Sequence, residues 1–155
     1  MALEEQVVDK LIEKEYKIAF AESCTGGLCC GNLVNVTNAS KVLDMSFITY
    51  ANEAKIKLLD VNADTILSNG VVSEEVAYEM AEGAAKAAGC QVGVGITGIA
   101  GPGGGTDKKP IGLVCFGFSI NGKVKTYTQL FGEIGRNQVR KSSIEFVFKT
   151  LLELL

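Results

Sequence analysis

The chain has 155 residues, 47% of them hydrophobic, which is enough to bury the core of one domain. Its 15 basic and 18 acidic side chains give a net charge of −3 with no basic block, a pattern that argues against nucleic acid or an anionic membrane surface as partner. No run is long and apolar enough to span a bilayer, and the start "MALEEQVVDKLIEKEYK" lacks the basic and apolar pattern of a secretory signal, so a soluble cytoplasmic protein without membrane contact is expected.

Residues 3–15 repeat apolar side chains at helical spacing: Leu3, Val7 and Leu11, with Val8 and Ile12 beside them. "KIAFAES" (17–23) reads as a short buried strand, and "GGLCCGNLVNV" (26–36) as a helix that opens at its glycines. "SFITYA" (46–51) reads as a strand and "NEAKIKLL" (52–59) as a short helix capped by Asn52. "SEEVAYEMAEGAAKAAG" (73–89) has a Ser73 cap, Glu74 and Glu75 in its first turn, and Gly89 to end it. "CQVGVGIT" (90–97) predicts a strand running into the glycine-rich loop "GIAGPGGGTDKKP" (98–110). "IGLVCFGFSI" (111–120) and "KVKTYTQLF" (123–131) flank Asn121-Gly122, a strong hairpin signal. A last helix is expected from Arg136 to Leu154. Strands alternating with helices, plus one hairpin, predict a single α/β domain over residues 1–155: a three-layer α/β/α sandwich with a mixed β-sheet.

The five cysteines (Cys24, Cys29, Cys30, Cys90 and Cys115) are odd in number and form no C-x-x-C pair. With no histidine in the chain, no metal site of the usual kind is expected, and the cysteines read as reduced, buried thiols.

In open α/β sheets, ligands bind beyond the carboxyl ends of the strands. "ESCTGG", "TYANEAK" and "TGIAGPGGG" all fall at predicted strand ends, so three polar turns are expected to meet in one crevice. The absence of histidine excludes Ser-His-Asp and Cys-His chemistry and leaves lysine, aspartate or glutamate as base. Lys55 is placed for that task. Behind an Asn52 cap it falls in the first helical turn, where unpaired N–H groups disfavour a cation; the alternative is a solvated lysine like Lys57. Ser23 is either a nucleophile or a helix cap, a task Thr25 can share, and Ser40 in "NASKVLD" is cap-like. Cys24 falls on the strand phase that points into the core. The loop "GIAGPGGG" can offer a nest of N–H groups to an anion, with Thr97 just before it, but it is not a P-loop. Arg136 and Arg140, one turn apart, are phosphate-binding candidates or solvated charges.

Together "AESCTGG", "TYANEAK", "GVVSEEVAYEMAEGA" and "TGIAGPGGGTDKKPIG" resemble the CinA C-terminal domain family, and the similarity spans about residues 3–152. The characterised enzymes of that family are nicotinamide mononucleotide deamidases. The resemblance implies hydrolysis of nicotinamide mononucleotide to nicotinic acid mononucleotide and ammonia, without metal or organic cofactor, by serine and lysine. Its functional positions fall on Ser23, Ser40, Tyr50, Lys55, Thr97 and Arg140. Lys55 would be the base. Ser40 would be the nucleophile with Ser23 relaying the proton, or the two would exchange roles. Tyr50 would orient Lys55 or the substrate. Thr25, Gly26, Gly27 and the loop glycines Gly101, Gly103 and Gly104 would offer N–H donors, and Arg140, with Arg136 nearby, would bind phosphate. Two departures from the family pattern stand out: Asn38 where relatives have glycine before the Ala39-Ser40 pair, and "FGEIGR", one residue longer, with Gly135 in place of aspartate. Many relatives also carry a second, N-terminal domain resembling molybdopterin-binding proteins. The alternative reading is a non-catalytic nucleotide- or protein-binding module of the same family. A homo-oligomer is expected.

Overall fold

The computed structural model describes all 155 residues. The elements follow as α1 (Leu3–Lys14), β1 (Ile18–Glu22), α2 (Leu28–Leu33), a 3-10 turn (Ala39–Lys41), β2 (Phe47–Ile48), α3 (Asn52–Leu59), α4 (Ala63–Asn69), α5 (Glu74–Ala88), β3 (Val92–Gly98), β4 (Leu113–Ile120), β5 (Lys123–Leu130) and α6 (Arg136–Leu154). The sheet runs β2-β1-β3-β4-β5. Its first three strands are parallel, and β3-β4 and β4-β5 are antiparallel. Helices α1, α2 and α6 pack together, with α2 on β1 and α6 on β4. Helix α5 crosses the opposite face, touching β1, β3, β4 and β5, with α3 and α4 against it. The expected three-layer sandwich with a mixed sheet is therefore present.

The two faces are filled differently. Under α1 and α6 the core is bulky: Phe20, Phe116, Phe118, Phe148, Leu11 and Leu151 are buried in one cluster. Under α5 it is thin, built from residues such as Ala19, Ala21, Met80 and Ala84. The strands open a groove for that helix with glycine. A Cβ added at Gly93 would come within 2.1 Å of Ala81 O, and one at Gly117 within 2.2 Å of Ala77 O. Only the absence of a side chain lets the helix backbone approach so closely.

Three local expectations are corrected, and one element is added. Helix α2 is six residues long, because the run Val34-Asn35-Val36-Thr37-Asn38 consists of poor helix formers. Strand β2 shrinks to two residues. The cap of α3 is Ala51, with Asn52 already helical. A short helix, α4, fills a segment that carried no clear pattern, capped by Asn62, whose side chain accepts from Asp64 N. The hairpin turn stands as expected: Asn121 and Gly122 take φ of 51° and 82°, which suits a type I′ turn. Strands β1, β2 and β3 all end on one edge of the sheet, and the loops leaving that edge build the candidate site.

Candidate functional site

Lys55 is the fourth residue of α3, and its backbone N–H is already paired with Ala51 O at 3.2 Å. Its side chain turns inward, while Lys57, two residues on, is exposed. Only 1% of Lys55 is accessible. Its Nζ lies 2.7 Å from Thr49 O, 3.3 Å from Tyr50 O and 3.2 Å from Ser23 Oγ. No carboxylate pairs with it; the ion pairs of the chain, Lys17–Asp44, Lys86–Glu82 and Lys149–Glu145, join exposed side chains. Burial therefore holds the amine below the usual lysine value of 10.5, with the Cys24 sulfur acting the other way. The cause is desolvation rather than the helix N-terminus, since the residue lies one place further into α3 than the sequence predicted. A neutral amine 3.2 Å from a hydroxyl is a base in hydrogen-bond reach of its proton.

Ser23 is held by a turn that an unexpected residue fastens. Gly27, at φ 100°, stands at the N-cap of α2 and has no side chain to offer the first helical N–H groups. Glu22, the last residue of β1 and 1% accessible, does that work instead. Its carboxylate accepts from Cys29 N (2.9 Å), Cys30 N (3.0 Å) and Thr25 Oγ1 (2.6 Å). Arg140 fastens the same turn from outside. Its Nε donates to Cys24 O (3.0 Å), Nη2 to Thr25 O (3.2 Å) and Nη1 to Asn137 Oδ1 (3.2 Å). Burial pushes the Cys24 thiol up to about 12, so it is a protonated packing group at neutral pH.

Ser23 and Lys55 open into a cavity of about 450 Å³, within the usual range for a small-molecule site. Tyr50, Thr97, Gly101, Gly103, Gly104 and Arg136 line it with them, so these eight expected site residues are brought together. Arg136 bridges the mouth, donating to Gly101 O (2.8 Å) and Tyr50 OH (2.9 Å). Thr97 Oγ1 donates to Val71 O (2.9 Å). Besides the Lys55 amine, Lys109 and Arg136 place two cationic side chains on the wall, and no acidic residue lines it. In a chain of net charge −3 that segregation makes the cavity a place for an anion.

The other expected residues lie elsewhere. Thr25, Gly26, Gly27 and Arg140 belong to the turn behind Ser23 and do not line the cavity. Ser40 is exposed on the 3-10 turn. Val42, just after it, accepts from Ile18 N at the start of β1, whereas Ser23 follows the end of that strand. The length of β1, roughly 17 Å at about 3.3 Å per residue, thus separates the two serines within one chain. Glu22 and Lys109 were not singled out by the sequence. A helix opening on glycine, with no capping side chain of its own, was the available sign of the first.

The family model for the CinA C-terminal domain matches residues 1–155. A putative competence-damage inducible protein of Alkaliphilus metalliredigens is 49% identical over 151 residues, covering 97% of this chain and 36% of the relative. One from Clostridium acetobutylicum is 47% identical over 156 residues, covering 99% and 38%. The chain thus spans little more than a third of the length of these curated relatives. A crystal structure of a CinA superfamily protein from Escherichia coli superposes with a TM-score of 0.95 at 35% identity, covering 99% of this chain and 88% of that one. The competence/damage inducible protein CihA of Agrobacterium tumefaciens gives 0.91 at 36% identity, covering 99% and 96%. The chain belongs to the CinA C-terminal domain family.

Proposed function

We propose that this CinA-family domain is an amidohydrolase that converts nicotinamide mononucleotide and water to nicotinic acid mononucleotide and ammonia. One observation carries the reading: a buried lysine amine, with no carboxylate partner and a lowered pKa, stands 3.2 Å from a serine hydroxyl at the wall of an anion-favouring cavity.

The chemistry follows from that pair. Neutral Lys55 takes the Ser23 proton, and Oγ attacks the carboxamide carbon. The C–N bond then breaks, and the Lys55 ammonium returns the proton to the departing nitrogen, which leaves as ammonia. Water, deprotonated by the again neutral Lys55, cleaves the serine ester and restores Oγ–H. The carbonyls of Thr49 and Tyr50 hold Nζ toward Ser23 throughout. Arg136 ties Tyr50 to the glycine-rich loop and so fixes the opening through which the nucleotide enters. Ser23, rather than Ser40, takes the nucleophile's part within one chain because it is the serine that Lys55 touches.

The test is ammonia release from nicotinamide mononucleotide by the purified protein without added metal, beside Lys55→Ala. Turnover that disappears in the variant supports the reading. Equal turnover in both removes Lys55 as base. No turnover in the unmodified protein removes the amidase and leaves the cavity as a nucleotide-binding site.

A further inference from the structure

Lys109 lies near the end of the glycine-rich loop, and its side chain reaches the segment before α5. There its Nζ donates to the main-chain carbonyls of Asn69 and of Val72, the latter at 2.5 Å. An ammonium carries three N–H donors, so one remains. The residue lines the cavity, and no carboxylate lies within ion-pair distance of it. Its backbone is fixed as well: its N–H donates to Thr106 Oγ1 (3.0 Å) and its carbonyl accepts from Thr106 N (2.8 Å).

In the 69–72 segment, of which Val71 and Val72 line the cavity, side chains cover the main-chain carbonyls. Lys109 takes those of Asn69 and Val72, Thr97 that of Val71, and Ser73 Oγ that of Gly70 (2.8 Å). Bare carbonyl oxygens would repel an anion; covered ones do not. Gly103 and Gly104 line the same cavity, and their backbone N–H groups have no acceptor within the chain. Arg140 does not line this cavity; its guanidinium faces the turn behind Ser23 and Asn137.

We propose that Lys109 is the cation that reads a phosphate group on the ligand, through its third N–H and with the N–H groups of Gly103 and Gly104. It thereby sets the site's preference for a phosphorylated sugar over the bare sugar. The inference rests on the amidase reading only for the base that the sugar carries; its test needs no turnover.

Ribose 5-phosphate and ribose are titrated calorimetrically into the protein and into Lys109→Met, which keeps the length of the stem. The unmodified protein is expected to bind ribose 5-phosphate and not ribose. The variant is expected to bind the phosphate roughly tenfold or more weakly, the loss of one charge-assisted hydrogen bond. Equal binding of the phosphate by both proteins overturns the proposal, as does failure of the unmodified protein to bind it. Should the variant not fold, amine-directed labelling of the unmodified protein decides. Ribose 5-phosphate, but not ribose, protects Lys109 if the proposal holds, and labelling unaffected by the phosphate refutes it. Ammonia release from nicotinamide mononucleotide, measured separately, reports on the amidase alone.

Discussion

Glu22 is the buried acid on which the Ser23 turn depends, and Glu22→Gln isolates its contribution. In the folded protein Oε1 accepts from Thr25 Oγ1 and Cys29 N, and Oε2 accepts from Cys30 N. Glutamine keeps one oxygen, so at least one first-turn N–H of α2 must face an amide NH2. One charge-assisted bond, about 1.5–3 kcal/mol, is then lost, and the two that remain fall to neutral strength. The smaller desolvation cost of a neutral amide offsets part of this, leaving a net destabilisation of about 2–4 kcal/mol. Thr25→Val deletes a single bond and leaves both backbone donors satisfied, so it is expected to cost about 1–2 kcal/mol. Urea unfolding followed by circular dichroism, with an unchanged slope, measures both. A Glu22→Gln protein within about 0.5 kcal/mol of the original, the scatter of an ordinary surface change, would show that the carboxylate does not hold the turn. So would a Thr25→Val protein that proves the less stable of the two.

Ser23→Ala is expected to abolish ammonia release from nicotinamide mononucleotide, whereas Ser40→Ala retains it; loss in Ser40→Ala alone would require a neighbouring subunit's Ser40 to complete the cavity. Because the Lys55 amine acts when neutral and burial lowers its pKa, kcat/KM is expected to rise with pH through an acid limb centred below 10.5. Lys55→Arg, which stays charged, should lose activity across the range, and an unchanged profile would assign the limb to another group. Gly117→Ala pushes a methyl against Ala77 O and is expected to cost about 1–3 kcal/mol by thermal or urea unfolding. Gly31→Ala, inside α2 with open space around it, should instead gain about 0.5–1 kcal/mol. Equal effects at the two glycines would dismiss the close seat of α5.

The layered fold was legible because period and punctuation agreed in the long elements. Helix α5 lies between its Ser73 and Gly89 caps, α6 runs from Arg136 to Leu154, and Asn121-Gly122 joins β4 to β5. Segments without such marks were not legible. Strand β2 is two residues long and α4 seven, too short for a period to show. Lys55 was singled out for its place in the first turn of a helix, yet burial is what perturbs it, and burial arises from three segments meeting in space. Arg140 shows the same limit: charge and spacing marked a phosphate ligand, while the fold turns it toward two carbonyls of a turn 115 and 116 positions away and toward Asn137. Glu22 and Lys109 escaped because each acts mainly through backbone groups, which carry no signature of residue type.

The close seat of α5 on its glycines has a consequence for the cavity. The 69–72 segment leads directly into the Ser73 cap of this helix, so that wall of the cavity is joined to an element whose backbone rests on the glycines of the sheet. A wall that cannot retreat cannot remodel itself around a bulkier guest. Discrimination among nucleotides would then arise from steric refusal at this side and not from mutual adjustment. Evolving a broader repertoire in this scaffold would start by trimming the side chains of Val71 and Val72, which line the cavity on that side.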